Sequence, residues 1–253
     1  MYNIFKEIFK DWTGSLPFEA LSFAHILSVI LITVGIVLVI VLFKNKSQET
    51  KSKVVDITVS IAFGLYILDF FIMPLSNGEI DVDKLPFHIC TLMSVMCFLS
   101  RHTKFFAQFK SSFSLLGLIG ALMYITYPSG VAKGDLLSYR IMQTVIYHGL
   151  MIAQGVFSLV FSDIKIEWKT CYKDLLIIIL MSVWAVLGNL IYSGGELGDY
   201  NWFFVVQDPF GIFDRSVGAF VMPFVMIVVI FTMDMLIYSI YFGLRKLLVK
   251  NKL

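Results

Sequence analysis

The sequence predicts an all-α integral membrane protein, a bundle of about seven transmembrane helices, and three observations carry that reading. The 253 residues are 58% hydrophobic with a mean hydropathy of +0.83, above what an ordinary soluble domain sustains. Seven apolar runs approach the length needed to cross ~30 Å of hydrocarbon. The linkers between them alternate in Lys and Arg content, as expected of a multi-pass chain in a cell membrane.

Taken in order, residues 1–17 place Ile4, Phe5, Ile8, Phe9 and Trp12 at helical spacing, with Lys6, Glu7, Lys10 and Asp11 largely between them. That pattern predicts an interfacial amphipathic segment. The transmembrane domain spans 18–245, with runs at 22–43, 54–73, 85–99, 111–127, 139–161, 175–192 and 219–244, of which the third and fourth are short. Ser114, Gly117 and Ala121 share one face of the fourth run and would let a neighbouring helix come close. Pro128 and Gly130 end that run, and a loop rich in aromatic residues, 193–218, is expected to fold back on the membrane surface. Residues 246–253 form a basic tail.

Orientation follows from charge. Fourteen of the 20 Lys and Arg lie in the linkers after the first, third and fifth runs and in the tail. The N-terminus is therefore expected outside and the C-terminus in the cytoplasm. A net charge of +2 gives no sign of a nucleic-acid partner, and nothing in the sequence sets the oligomeric state. Cys90, Cys97 and Cys171 make no disulfide framework. Cys90 and Cys97 are separated by roughly 10 Å along one helix, too far to bridge.

Polar residues collect near the expected outer face. The stretch Leu85-Pro86-Phe87-His88-Ile89-Cys90 opens the third run, with Pro86 suited to the first helical turn. His25 and Asp69 lie a few residues inside the first and second runs, Asn189 near the end of the sixth, and His148 roughly 14 Å into the fifth. Ionisable groups at such depth are functional-site candidates because burial in hydrocarbon is costly. His88 and Cys90 point about 200° apart on a helix, so a base for a Cys90 nucleophile must come from another helix, with His148 or His25 placed to serve. Arg140 stands at the mouth of the fifth run, sharing a face with Gln143 and Tyr147, where it can either meet a lipid phosphate or snorkel with no partner. Asp56 and Asp234, towards the cytoplasmic side, are expected to pair with Lys or backbone groups, and His102 to be solvated.

The Leu85–Cys90 stretch, with Tyr139-Arg140, Gln143 and His148-Gly149, resembles the bacterial YwaF-like family of integral membrane proteins. Asn189, Tyr200-Asn201 and Asp208-Pro209-Phe210-Gly211 fit the end of that pattern, and His25 fits its start. The resemblance covers nearly the whole chain. That family is distantly similar to a eukaryotic membrane family that moves acyl chains onto ether phospholipids with a cysteine nucleophile, which implies that role for Cys90.

Three readings follow. The first is lipid acyl transfer or hydrolysis, with His88, Cys90 and His148 catalytic, a membrane lipid as partner and no cofactor. His25, Asp69, Arg140, Gln143, Asn189 and Asn201 would then bind substrate. The second makes His25, His88 and His148 a zinc site for lipid hydrolysis, since three imidazoles are an adequate ligand set. The third is a transporter or lipid-binding protein without catalysis.

Overall fold

The computed structural model describes residues 16–77, 82–126, 128, 134–192, 200–206, 212 and 215–250. Each of the seven apolar runs forms a helix: α1 (Phe23–Phe43), α2 (Gln48–Asn77), α3 (Ile89–His102), α5 (Lys110–Thr126), α6 (Tyr139–Val160), α7 (Cys171–Tyr192) and α8 (Arg215–Lys250). A four-residue helix, α4 (Lys104–Ala107), bends the chain between α3 and α5. The all-α membrane class stands.

Hydropathy marks only the part of a helix that suits hydrocarbon, so α2 and α8 extend past the apolar runs at both ends. The predicted 193–218 loop is correspondingly shorter, because α8 already begins at Arg215. Among the described residues five helices are long and apolar enough to cross a membrane; α3 and α5 are shorter. At 1.5 Å per residue these two reach about 21 and 26 Å. They lie inside the bundle, α5 packed between α3 and α6, with α2 against α3 and α6, and α7 against α8. Leu115, Leu116, Ile119 and Ala121 of α5 are wholly buried, whereas Leu31 and Leu42 of α1, Leu180 and Ile191 of α7 and Phe220 and Val228 of α8 are exposed. Such apolar outer faces suit lipid rather than water.

The small-residue face of α5 works as predicted. A Cβ on Gly117 would lie 3.0 Å from Met151 Cε and 3.1 Å from Gln154 Nε2 of α6. One feature has no signal in the apolar pattern: strands β1 (Pro17–Phe18) and β2 (Gly134–Asp135) pair antiparallel and tie the entry of α1 to that of α6. Asp135 fixes the join by accepting from the Leu16 N–H at 2.9 Å and from the Leu137 N–H at 2.8 Å. The interfacial helix predicted before β1 lies outside the described residues, as do Gly130 and 208–211.

The end of the bundle that carries most Lys and Arg closes on Arg101. Its guanidinium bonds Asp56 of α2 and, at 2.7 Å, Asp163 beyond α6. Lys110 and Ser52 also reach Asp163, at 2.9 and 2.8 Å. Asp56 thus has a cationic partner, though it is Arg rather than Lys. The expectation for Asp234 fails: neither of its carboxylate oxygens has a hydrogen-bond partner among the described residues, because its helix turns it towards Asp174. His102 is exposed as predicted and lies against Phe98, ring centroids 4.3 Å apart.

Candidate functional site

At the opposite end of the bundle, the turn before α3 sets the geometry. Pro86 does not enter the helix as predicted. Its carbonyl accepts from Trp184 Nε1–H of α7 at 2.8 Å, and α3 starts only at Ile89, with His88 in extended conformation as its N-cap. Phe87 lies flat over α7, where a Cβ on Gly188 would come within 2.4 Å of its ring. Trp184, Trp202 and Tyr192 surround that ring at centroid distances of 5.1, 4.8 and 5.9 Å. These contacts hold both chemically interesting residues of the turn in place.

His88 and Cys90 then point to different neighbours, though not through the helical spacing expected of them, since His88 stands outside α3. His88 Nδ1 accepts from the Phe203 N–H at 3.4 Å. Cys90 instead faces α5, where a Cβ on Gly120 would stand 3.2 Å from its Sγ. Cys90 lies in the first turn of α3, whose N–H groups have no carbonyl inside the helix to bond.

One turn beyond Gly120 comes Tyr124, whose ring stacks on His148 of α6 with centroids 3.7 Å apart and planes at 14°. Tyr147 meets His148 edge-on at 5.0 Å and donates its hydroxyl to the Cys90 carbonyl at 2.8 Å. The Tyr124 hydroxyl is buried and has no hydrogen-bond partner among the described residues. It lies within electrostatic reach of Cys90 and Arg140. His148 Nδ1 bonds the Thr144 carbonyl at 2.8 Å. A carbonyl only accepts, so the proton sits on Nδ1 and the Nε2 lone pair is left to act as a base. His148 is also within electrostatic reach of His88 and Lys84. The structure therefore gathers Cys90, Tyr124, Tyr147 and His148, with His88 nearby and Arg140 exposed at the mouth.

The other predicted residues have bonding partners of their own. His25 Nε2–H donates to the Ile125 carbonyl at 2.7 Å, and its Nδ1 accepts from the Leu21 N–H at 3.0 Å. Nε2 thus braces α1 against the end of α5, while Nδ1 holds the turn before α1. Asp69, 2% exposed, lies 2.9 Å from Lys84 Nζ, an ion pair by distance although off the line of a hydrogen bond. It also hydrogen-bonds Tyr139. Gln143 reaches the Leu65 carbonyl at 3.5 Å and accepts from Thr144 at 3.2 Å.

Asn189 is wholly buried and exchanges bonds with the backbone of Trp202, and Asn201 accepts from the Val206 N–H at 3.1 Å. The two amides hold the turn Trp202–Phe204, in which Phe203 and Phe204 sit at φ 59° and 54°, a left-handed conformation costly for aromatic residues. The aromatic loop is expected on the membrane surface, but its described part, 200–206, packs into the bundle: Trp202 is fully buried and Tyr200 stacks on it at 4.5 Å.

The three-imidazole zinc reading finds no support in this geometry. Among the described residues no three His, Cys, Asp or Glu side chains gather closely enough to hold a metal ion, because His25, His88 and His148 each bond a different stretch of backbone. Sequence reasoning missed Tyr124, Lys84 and Gly120. The i, i+4 spacing of Gly120 and Tyr124 on the small-residue helix was the available signal.

No curated protein and no solved structure matches the chain. The model of one membrane protein family does match, over residues 20–242, a span that contains every residue of the cluster. By that match the chain belongs to the TMEM164 family.

Proposed function

We propose that this membrane protein carries out acyl chemistry on a membrane lipid through a thiol, by transfer or hydrolysis. The observation that supports it is the meeting of Cys90, Tyr124 and His148 where α3, α5 and α6 pack. In this reading the Cys90 sulfur bonds the carbonyl carbon of a lipid ester, and His148 Nε2 takes the thiol proton. The Tyr124 hydroxyl donates to the oxyanion that forms. Collapse breaks the C–O bond, the departing alcohol recovers the proton from His148, and a thioester remains on Cys90. An acceptor hydroxyl or water then releases the acyl group. Arg140 engages the headgroup phosphate at the mouth. The resemblance to YwaF-like proteins, and through them to cysteine acyltransferases, supports the same assignment.

The test is peptide mass spectrometry after incubation of the purified protein with a phospholipid carrying isotopically labelled acyl chains. The expected result is a labelled acyl group on Cys90, removed by neutral hydroxylamine, and absent from Cys90→Ser. Replacing His148 by Gln should slow its formation about 10²-fold or more. Labelled product released undiminished by Cys90→Ser would overturn the thiol mechanism. The observation favouring a lipid-binding protein without catalysis is the burial of Cys90, 9% exposed. Lipid co-purifying equally with wild type and Cys90→Ser, with no adduct or product, would decide for that second reading.

A further inference from the structure

We propose that Asp174 and Asp234 form a proton-binding site between α7 and α8, a carboxyl pair holding one proton shared between the two side chains. The pair lies in the half of the bundle towards Arg101, away from Cys90, and does not depend on the acyl chemistry. Asp174 is 1% exposed and Asp234 fully buried. The Asp234 carboxyl faces that of Asp174 with no donor between them among the described residues. Tyr238 of α8 donates to Asp174 Oδ2 at 2.6 Å, and Ser112 of α5 bonds the same carboxyl. Both donors therefore serve Asp174, and neither oxygen of Asp234 receives a hydrogen bond from any donor among the described residues.

The surrounding elements supply little compensating charge. On α7, Lys173 is felt by Asp174, yet its ammonium sits over the Phe109 ring, 5.9 Å from the centroid. In the turn Trp168–Thr170, Thr170 donates to the Glu167 carbonyl at 2.7 Å and Lys169 pairs with Glu167 at 2.8 Å. Leu115, Ile164 and Ile166 cluster with Tyr238, the rings of Trp168 and Phe242 flank it at 5.4 and 6.4 Å, and the half-buried Cys171 packs at the edge of that cluster. Two ionised carboxylates in contact, one without a donor, would face each other inside an apolar wall. A proton on one turns repulsion into an O–H···O⁻ bond, the arrangement that paired carboxylates adopt when they cannot both ionise. The described residues offer no third acidic, His or Cys ligand for a metal, so the proton is the ligand that fits.

Infrared spectroscopy of the full chain in lipid nanodiscs tests the site. Near neutral pH the wild type should show the C=O stretch of a protonated carboxylic acid, moved by isotopic labelling of aspartate. Asp234→Asn, an amide that can donate to Asp174 without titrating, should lose one such carboxyl per chain while eluting as a folded monodisperse species. The band persisting at full intensity in folded Asp234→Asn would overturn the proposal. Should that variant fail to fold, the wild-type band decides alone, since its absence is equally fatal. Loss of the band when sodium replaces choline at constant pH would show a cation site in place of a proton site, and would also overturn it.

Discussion

The ring of Tyr124 lies on the imidazole of His148, 3.7 Å between centroids, and leaves its own hydroxyl buried without a partner among the described residues. A phenol so placed has two separable properties. The ring orients the base by stacking, and the hydroxyl is a hydrogen-bond donor held ready for an acceptor that arrives with substrate.

Tyr124→Phe keeps the first property and removes the second. It should fold with wild-type stability and lower the rate of Cys90 acylation about 10²-fold, the range for one lost oxyanion donor. Tyr124→Leu should in addition lose about 0.5–1.5 kcal/mol of ring-ring stabilisation. Thermal melts beside the mass-spectrometric rate separate the two. A Phe variant as active as wild type would remove the hydroxyl from the mechanism.

At the other end, the side chains of Arg101 and Asp163 are each 3% exposed and share bonds with Asp56, Lys110 and Ser52. Removing one member leaves a buried charge uncompensated, so Arg101→Ala should cost about 3–5 kcal/mol. Burial pushes the Asp163 carboxyl up, but Arg101 and hydrogen bonds from Lys110 and Ser52 outweigh burial and hold it below the usual carboxylate range. A group depressed in the folded state contributes stability above its unfolded pKa, about 4, and loses it as pH falls through the folded value. Acid unfolding curves should therefore show a smaller loss below about pH 4 in Asp163→Asn than in wild type. Parallel curves would mean that Asp163 does not titrate with unfolding.

The charge bias predicts which end faces outward. In a Cys171→Ser background, Leu137→Cys at the site end should react with an impermeant thiol reagent in intact cells. Lys46→Cys at the basic end should react only after permeabilisation. The opposite pattern would place Cys90 and His148 at the cytoplasmic end.

Much of this was readable before any coordinates. Apolar length locates seven helices. Their partners were not readable, because the meeting of Tyr124 with His148, or of Asp174 with Asp234, depends on rotation of one helix against another, which hydropathy does not encode. The start of α3 was misplaced for a related reason. Pro86 suits a first helical turn locally, but the bond from Trp184, 98 residues away, draws its carbonyl outward and delays the helix to Ile89.

Gly120 turns that packing into a prediction. A methyl group there would stand 2.7 Å from Ile89 Cγ2 and 3.2 Å from Cys90 Sγ, both in the first turn of α3. Ile89 is 8% exposed and has little room to turn away, so the start of α3 must shift. Gly120→Ala should therefore cost about 1–3 kcal/mol, as overpacking does, despite the helical propensity that Ala brings to α5. Gly64→Ala in α2 is the matched control, since nothing lies within 4 Å of its added Cβ. Without a clash it should stabilise by up to about 1 kcal/mol. Thermal melts of the two variants, with the rate at which a membrane-permeant maleimide labels Cys90, read the effect directly. The opposite signs of the two melts, and a changed labelling rate in Gly120→Ala alone, are the expected result. If Gly120→Ala were as stable as Gly64→Ala and labelled like wild type, the close seating of Cys90 against α5 would be wrong.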